Sequence, residues 1–311
     1  MRSRRVVWFF IIFILLLFIT SGLVSPYGGE VYDIKSTNQR IEDIRVEKDN
    51  TIDVLFAGNS LVFRDLSPLQ MWGLEGITSY DLSDGAMRLC DQYTLIQNAC
   101  ITQKPELIVL ETCVFFTDAS PYKDDFALPT NLIEKIFPIF HYHTFYKGLS
   151  VSDPDIDARR LLKGFDPSFD TKPYTGDPDY MADRGEVTDI PELNRRYLED
   201  IMAFCKENDI KVMLIALPSP VNYDMSKHNS IAGWAKERDI EFVDLNLLTD
   251  ELGIDWNTDT KDEGDHLNFE GSKKVSSYIA EHITKGYGLS DHRGDPEYAQ
   301  WEESYEEAGL Y

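Results

Sequence analysis

Residues 52–58 read IDVLFAG, and this short apolar stretch is the first of five that decide the fold. The others are ITSYDLS (77–83), ELIVLET (106–112), IKVMLIALP (210–218) and IEFVDLN (240–246). All are rich in β-branched or other apolar residues, and segments with helical periodicity separate them. Strands of this kind are typical of a parallel sheet that is covered on both faces. The sequence therefore predicts an α/β protein, a three-layer α/β/α sandwich with about five parallel strands.

Helix signals lie between these strands. Ser67-Pro68 opens the first helix, Gly85 precedes the second, and Pro191-Glu192 begins the third. Apolar periodicity predicts two further helices, at 225–238 and 270–283. In such sandwiches ligands bind beyond the carboxyl ends of the strands, so we expect the functional residues there.

Composition excludes several classes of function. The chain has 311 residues with 54 acidic and 30 basic side chains, a formal net charge of −24. Sequence-independent binding to nucleic acid phosphates is excluded, so no nucleic acid partner is predicted. Hydrophobic residues make up 43% of the chain, which is enough for a core and excludes disorder of the whole chain. Neither a Walker A motif nor a Rossmann glycine fingerprint is present, and no cofactor is predicted.

Residues 1–24 predict a basic cytoplasmic start and a membrane anchor. Val6–Val24 contains 19 residues without a charge, and as a helix it would extend about 28 Å against a hydrocarbon core of about 30 Å. Arg2, Arg4 and Arg5 precede the span, and the next basic residue is Lys35. The positive-inside rule then predicts a single-pass cell-membrane protein with a cytoplasmic N-terminus and an extracellular domain. A cleaved signal peptide is the alternative, disfavoured by the unbroken apolar run and the lack of an A-x-A pattern.

The remaining chain divides by composition. Residues 25–50 are polar and suit a short stalk, and residues 51–287 carry the strand and helix pattern. Within them, 113–190 is too long for an ordinary connection. We interpret it as an insertion, with an aromatic part at 131–149, that forms a lid or substrate wall over the active face. Residues 288–311 are acidic and predict a solvated tail, a candidate for disorder.

The four cysteines are predicted to be buried free thiols. Cys90 and Cys100 fall in one helical stretch, where ten residues rise about 15 Å, beyond the roughly 7 Å limit between bridged Cα atoms. Cys113 ends an apolar strand and Cys205 lies in a helix. No function is assigned to them.

Ser60 is the candidate nucleophile. The first strand ends in AGNS, with Gly58 and Asn59 supplying a tight turn before Ser60. This turn places a hydroxyl beyond the carboxyl edge of the sheet, and the Ser60 backbone N–H near the start of the next helix can donate to an oxyanion. The alternative is that Ser60 only caps that helix.

His266 is the candidate general base. It lies 206 residues after Ser60 in the polar loop DEGDHLN (262–268), which follows the fifth strand. A histidine preceded by carboxylates offers a base together with an acid that orients it. A surface histidine in an acidic loop is the alternative, but both segments would project from the same edge of the sheet.

Metal sites are not predicted. Asp255, Asn257 and Asp259 resemble the start of a calcium loop, but the glycine and glutamate that such a loop needs at its sixth and twelfth positions are missing. His141 and His143 are interpreted as packing residues of the insertion because no second ligand pair has metal spacing. His228 is interpreted as a structural histidine on a helix face.

These motifs resemble the SGNH/GDSL hydrolase superfamily over roughly residues 51–285. The resemblance rests on AGNS, on the glycine in YDLSDGAMRL and on DEGDHLNFEG. The segments KPELIVLET, HYHTFYKGL, LKGF and LPSPVNYDMSKHN are similar to the membrane-anchored, DltD-like branch of Gram-positive cell envelopes. The resemblance implies a flavodoxin-like sandwich, Ser60 as nucleophile, His266 as base, a nearby Asp as its orienting acid and Gly85 as an oxyanion donor.

Two positions depart from the superfamily pattern. The Asp that usually stands three residues before the histidine is Glu263 here, so Asp262 and Asp265 are the other candidates. We rank Asp262 first because a four-residue loop folds its side chain back toward the imidazole more easily.

The usual third-strand Gly-x-Asn is also absent, and Glu111-Thr112 occupies the end of that strand. Thr112 is a candidate substitute for the missing Asn. Together with Asn59, Glu111 and Thr112 are the candidate substrate-binding residues.

The sequence predicts an extracytoplasmic serine ester hydrolase or O-acyltransferase. Its substrate would be an acyl or acetyl ester of a cell-envelope glycopolymer, its partners that polymer or acyl donor, the membrane and a membrane acyltransferase. The alternative is a non-catalytic envelope scaffold that keeps the same fold and binds a polymer or a membrane acyltransferase.

Overall fold

The structure is a computed structural model that describes residues 2–24, 37–117 and 154–311. The chain divides into two compact units. One comprises residues 1–39 and 120–154, and the other comprises residues 40–119 and 155–311.

The second unit is built on a five-stranded parallel sheet in the order β2-β1-β3-β4-β5. The strands are β1 (Val54–Gly58), β2 (Ser79–Ser83), β3 (Leu107–Glu111), β4 (Lys211–Ala216) and β5 (Glu241–Asp244). This is the flavodoxin-like order, in which ligands bind where the strand order reverses, beside β1 and β3. The predicted fold class is confirmed.

Both faces of the sheet are buried, which explains the continuous apolar runs. In β1, Leu55 and Ala57 pack into one core, whereas Val54 and Phe56 pack into the other. Because side chains alternate along a strand, a strand covered on both faces has few positions for polar residues.

Helices form the two outer layers. The described α-helices are α1 (Arg2–Val24), α2 (Thr37–Arg45), α3 (Ser60–Asp65), α4 (Pro68–Glu75), α5 (Leu89–Ala99), α6 (Pro154–Leu161), α7 (Glu192–Glu207), α8 (Met225–Lys236), α9 (Thr249–Leu252), α10 (Phe269–Tyr287) and α11 (Ala299–Ala308). Of these, α5, α7 and α8 cover one face of the sheet, and α3 and α10 cover the other.

Side chains fix where several of these helices begin. Ser67 caps α4, Asp224 caps α8 and Asn268 caps α10, each accepting a backbone N–H of the first turn. The predicted helices are therefore present, with α10 beginning one residue before the predicted start. The short helix α3 precedes the one that the sequence indicated as the first.

The N-terminal helix α1 consists almost entirely of apolar residues. Its segment Arg4–Ser21 has a mean hydropathy of 2.1. By length and composition, α1 is able to act as a membrane span or as a signal sequence.

Two predicted boundaries are wrong. Part of the predicted stalk, 37–45, is the helix α2, and its Ile41 and Ile44 are buried in the core. The predicted acidic tail contains α11, whose Trp301 is 0% exposed and lies 6.0 Å from the Trp72 ring. Net charge did not indicate these two helices, because a few buried apolar side chains are enough to pack a helix against the core. The other faces of such a helix are polar and solvated.

The predicted insertion 113–190 lies only partly within the described residues. Residues 118–153, and with them the aromatic part 131–149, lie outside them. Residues 166–190 are irregular, and their backbone binds the loops that follow the strands: Lys172 N–H donates to Thr260 O (3.1 Å), and Tyr174 N–H donates to Trp256 O (3.0 Å). A lid or substrate wall stays a prediction.

The cysteines are free, as the sequence predicts. Cys90, Cys113 and Cys205 are buried, and Cys100 is half-buried. Burial raises the pKa of the Cys100 thiol to about 11 and that of Cys205 to about 12, so both are unreactive thiols near neutral pH.

Candidate active site

The turn between β1 and α3 presents Ser60 at the carboxyl edge of the sheet. Gly58 is required here because a Cβ at this position would lie 2.6 Å from Glu111 Cβ and 2.6 Å from Val62 Cγ2. Asn59 caps α3, its Oδ1 accepting the Leu61 N–H at 3.0 Å. The alternative in which Ser60 is the cap is therefore wrong. The cap occupies Asn59 Oδ1, and the substrate-binding role of Asn59 stays a prediction.

Ser60 and His266 meet directly. Ser60 Oγ lies 2.7 Å from His266 Nε2. On the other side of the ring, His266 Nδ1 lies 2.9 Å from Asp262 Oδ2, and the His266 backbone N–H donates to Asp262 Oδ1 at 2.8 Å. Because a carboxylate only accepts, Nδ1 carries the proton and Nε2 is the acceptor for the serine hydroxyl.

The His266 loop is a tight turn closed by its own backbone. Lys261 N–H donates to His266 O (3.0 Å), and Gly264 N–H donates to Thr260 Oγ1 (2.8 Å). The turn needs two positive φ angles, +62° at Glu263 and +92° at Gly264. It folds Asp262 back under the imidazole and leaves Glu263 exposed.

Asp265 stands further from the imidazole. Its Oδ2 is 3.7 Å from His266 Nδ1, and its Oδ1 accepts the Asn222 amide. Asp262, Asp265 and His266 carry ligand atoms that all lie within 4.8 Å of one another, a spacing that a cation could also use. A cation on Nδ1 would displace the Asp262 hydrogen bond.

Asp65 was missed by the sequence analysis. This fully buried carboxyl ends α3, and its Oδ1 accepts the Leu267 N–H at 3.0 Å. Burial raises the pKa of Asp65 well above its usual value, and the Leu267 hydrogen bond only partly opposes the shift. Asp65 thus ties the helix that carries Ser60 to the loop that carries His266. An acidic residue inside the apolar helix LVFRDL is the sequence signal that could have found it.

Glu111 and Thr112 lie in the interior at the end of β3. Both are buried, because the chain turns inward after β3 into a 3₁₀ helix, Thr112–Phe116. Glu111 Oε1 accepts the Cys113 N–H at 2.8 Å. Burial raises the pKa of Glu111 to about 7, against the opposing hydrogen bond from Cys113. Their burial does not support a direct contact with substrate, and the substrate-binding role stays a prediction.

The predicted oxyanion donor Gly85 is engaged elsewhere. Its N–H donates to Asp84 Oδ1 at 2.7 Å, so the amide is not presented to a ligand in this structure. The expectation for Gly85 is therefore not met. The Ser60 amide keeps the predicted position in the first turn of α3, where N–H groups have no acceptor within the helix.

The rival polar clusters have structural partners. Asp259 Oδ2 binds Lys274 Nζ at 2.6 Å and accepts the Asp255 N–H at 2.7 Å. The carboxylate that was considered as a calcium ligand therefore binds the ammonium group of Lys274. His228 Nδ1 lies 2.7 Å from the buried Asp244, as expected for a structural histidine. His141 and His143 fall in 118–153, outside the described residues.

Comparison with known proteins gives similarity of fold. No family model matches the chain, and no curated protein matches it significantly. A protein from Bacteroides fragilis NCTC 9343 described as an acylhydrolase is 14% identical with a TM-score of 0.42, over 83% of this chain and 99% of that chain.

Two further solved structures are similar at the same level. A GDSL-like lipase from Bacteroides thetaiotaomicron VPI-5482 is 14% identical with a TM-score of 0.40, over 80% of this chain and 98% of that chain. The acetyl xylan esterase AlAXEase is 13% identical with a TM-score of 0.38, over 75% of this chain and 100% of that chain. The argument for function rests on the geometry of the site.

Proposed function

We propose that this protein is a serine ester hydrolase or O-acyltransferase. The observation that carries the proposal is the hydrogen-bond chain from Ser60 Oγ to His266 Nε2 (2.7 Å) and from His266 Nδ1 to Asp262 Oδ2 (2.9 Å). A hydroxyl, an imidazole and a carboxylate in this order activate a serine for attack on an acyl group.

Each side chain has one task in the reaction. His266 Nε2 removes the proton as Ser60 Oγ attacks the acyl carbonyl, and Asp262 stabilises the imidazolium that forms. The Ser60 N–H donates to the oxyanion. His266 then protonates the leaving alcohol, and the acyl group stays on Ser60 until water or an acceptor hydroxyl removes it. Water gives hydrolysis, and an acceptor hydroxyl gives acyl transfer.

The proposed substrate is an acyl or acetyl ester of a cell-envelope glycopolymer. The helix α1, which carries three arginines at its start, favours a catalytic domain held outside the cytoplasmic membrane. The motif resemblance to the DltD-like branch of Gram-positive envelopes agrees with this location and with a membrane acyltransferase as partner. No cofactor enters this mechanism.

Fluorophosphonate labelling tests the proposal directly. Full-length protein in detergent is expected to react, because only an activated serine attacks the phosphorus of the probe. Ser60→Ala is expected to abolish labelling. Ser304→Ala, which changes a half-buried serine on α11, is the matched control and should label like the parent. Labelling that survives in Ser60→Ala would contradict the assignment of the nucleophile.

A second candidate is a non-catalytic scaffold of the same fold. The observations that favour it are the Gly85 amide bound to Asp84 and the buried Thr112, which together leave the Ser60 N–H as the identified oxyanion donor among the described residues. A parent protein that binds an envelope polymer but neither labels nor hydrolyses esters would support this candidate.

A further inference from the structure

Arg159, on α6, is a buried arginine without a carboxylate bound to its guanidinium among the described residues. Its side chain is 6% exposed. Its Nη2 donates to Gly164 O at 3.2 Å and approaches Ser83 O at 3.5 Å, and its Nε approaches Gly164 O at 3.4 Å. Its Cζ lies 4.5 Å from the centroid of the Phe63 ring. All these contacts go to carbonyl oxygens or to an aromatic face, which leaves Nη1 without an acceptor in the described part of the chain.

The carboxylates nearby are taken by other cations. Asp43 binds Arg40 Nη1 at 2.9 Å and Arg160 Nε at 2.8 Å. Asp84 binds Arg40 Nε at 3.3 Å. Asp43 and Asp84 are therefore already paired with two other arginines.

The third acid in this region, Asp81, is not hydrogen-bonded to Arg159 either. Both its carboxyl oxygens are buried and lack a hydrogen-bond partner among the described residues. Burial raises the pKa of Asp81 well above its usual value, although the charge of Arg159 lowers it in part. No hydrogen bond or close ion pair joins Asp81 to Arg159 among the described residues. Burial and then the charge of Arg40 lower the pKa of Arg159, as expected for a desolvated cation beside another. The charges of Asp84 and Asp166 act on Arg159 from a distance and raise its pKa in part.

Arg159 lies at the edge of the sheet that carries the nucleophile. Ser83, whose carbonyl it approaches, ends β2 and pairs with Gly58, two residues before Ser60. Phe63, on which its guanidinium stacks, belongs to α3, the helix that begins with Ser60. The Arg159 guanidinium therefore lies beside the carboxyl end of β2, and Ser60 follows the carboxyl end of the neighbouring strand β1.

We infer that Arg159 binds an anionic oxygen group, a carboxylate or a phosphate, that the ester substrate carries beside its acyl bond. A buried cation without a hydrogen-bonded carboxylate costs free energy, and an anion that completes its hydrogen bonds recovers part of that cost. Nη1 is available for this contact, and a guanidinium fork suits both carboxylate and phosphate oxygens. This inference rests on the proposed function because it assigns a substrate group to the same site.

Arg64 provides a matched control. Its guanidinium lies over the same Phe63 ring, with Cζ 5.1 Å from the centroid. Unlike Arg159, it has a carboxylate partner, with Nη2 3.0 Å from Asp166 Oδ2. Replacing Arg64 removes a positive charge from the same neighbourhood but keeps the proposed anion site at Arg159.

The first experiment compares two esters that differ in charge. Full-length protein in detergent is assayed with 4-nitrophenyl acetate, which is neutral, and with 4-nitrophenyl hydrogen succinate, which carries a carboxylate. Arg159→Gln is expected to lower kcat/KM for the anionic ester by about tenfold to hundredfold relative to the neutral ester. Arg64→Gln should leave the ratio of the two esters unchanged. An unchanged ratio in Arg159→Gln would overturn the inference.

The second experiment measures binding without catalysis. In full-length Ser60→Ala, inorganic phosphate or succinate at matched ionic strength should raise Tm more than chloride does, and Arg159→Gln added to this variant should remove the difference. The stronger of the two anions identifies the phosphate or the carboxylate as the natural group. Equal Tm values in all three salts would overturn the inference.

These arms separate failure of the inference from failure of the proposed function. A parent without esterase activity whose Ser60→Ala form still shows the anion-dependent Tm would reject the esterase but keep the anion site. An active parent without that Tm difference would reject the site alone. If Arg159→Gln does not fold, Arg159→Lys keeps the charge but loses the planar fork, and is expected to show an intermediate loss for the anionic ester.

Discussion

Asn59 and Ser60 are neighbours with different tasks. The Asn59 side chain caps α3, and the Ser60 hydroxyl is left to bind His266 at 2.7 Å. A single hydroxyl cannot accept the capping hydrogen bond of a helix and also act freely as a nucleophile. In this protein Asn59 provides the cap and Ser60 provides the nucleophile.

Replacing Ser60 by Ala should therefore remove activity without removing stability. Hydrolysis of a small acetyl ester is expected to fall by about three powers of ten or more, since the reaction depends on the serine. Urea unfolding should place its stability near that of the parent. Asn59→Ala is the converse variant and should cost about 1 kcal/mol of unfolding free energy, because it removes the cap. A large loss of stability in Ser60→Ala would contradict this division.

Asp262 is expected to be the acid that orients His266. Asp262→Asn should lower kcat by about 10³- to 10⁴-fold, because an amide in its place favours the wrong tautomer of the imidazole. Glu263→Gln and Asp265→Asn change an exposed and a more distant carboxyl and should each cost less than about tenfold. Rates measured in parallel, with and without EDTA, also test whether Asp262, Asp265 and His266 bind a cation instead. A loss in Asp265→Asn as large as that in Asp262→Asn would contradict the assignment.

At the scale of elements, the end of β3 shows how a strand terminus can turn away from the site. Apolar alternation predicts where β3 runs but not whether the residues after it project outward. Here Glu111 caps a 3₁₀ helix that turns the chain into the core, so Glu111 and Thr112 are buried. The same acid then becomes a pH-dependent term in stability.

The buried Glu111 should destabilise the fold as the pH rises. Its pKa is about 7 in the folded protein against a usual value of 4.5. Between these values the folded state binds more protons than the unfolded state, so the unfolding free energy falls as the pH rises through this window. Glu111→Gln keeps an acceptor for Cys113 but cannot ionise.

The variant should match the parent near about pH 4.5 and exceed its unfolding free energy by on the order of 3 kcal/mol at about pH 8. Urea unfolding at the two pH values measures this. The exposed Glu303→Gln on α11 is the control. A Glu111→Gln variant that is no more stable than the parent at the higher pH would show that Glu111 stays ionised.

The helix α11 should be a stabilising element rather than a tail. Trp301 is fully buried against Trp72, and Lys163 Nζ lies 4.9 Å from the centre of its ring. Trp301→Ala is expected to cost about 3–5 kcal/mol of unfolding free energy. Glu303→Ala, on the exposed side of the same helix, should cost less than about 0.5 kcal/mol. Equal stabilities of the two variants by urea unfolding would mean that α11 does not contribute to the core.

At the scale of the whole molecule, charge and hydropathy are strongly separated along the chain. The apolar helix α1 carries three arginines at its start, whereas the chain as a whole carries a net charge of −24. Arginines on one side of an apolar span favour the proposed topology, in which the N-terminus is cytoplasmic.

Protease added to intact cells should digest the domain and leave a short membrane-embedded stub. A cytoplasmic reporter protein provides the control for cell integrity. Protection of residues 25–311 would reverse the proposed topology and remove the envelope substrate with it. N-terminal sequencing of the mature protein tests the alternative, because a cleaved signal peptide would leave a chain that starts after residue 24.

The sequence by itself determined the sheet and brought the central pair together. Five apolar runs define parallel strands because a sheet covered on both faces tolerates few polar side chains. The carboxyl ends of such strands share one edge, so Ser60 and His266 could be placed near each other without coordinates, and the four-residue spacing favoured Asp262.

Only the tertiary structure decided which polar side chains are free. Asp65 binds a loop more than 200 residues away, Gly85 is engaged by the adjacent Asp84, and Arg159 finds the nearby acids already paired. Burial and pairing of this kind depend on which distant segments pack together. Sequence periodicity does not show which segments these are. The same reason explains α11, an acidic segment that packs as a helix because Trp301 is buried against Trp72.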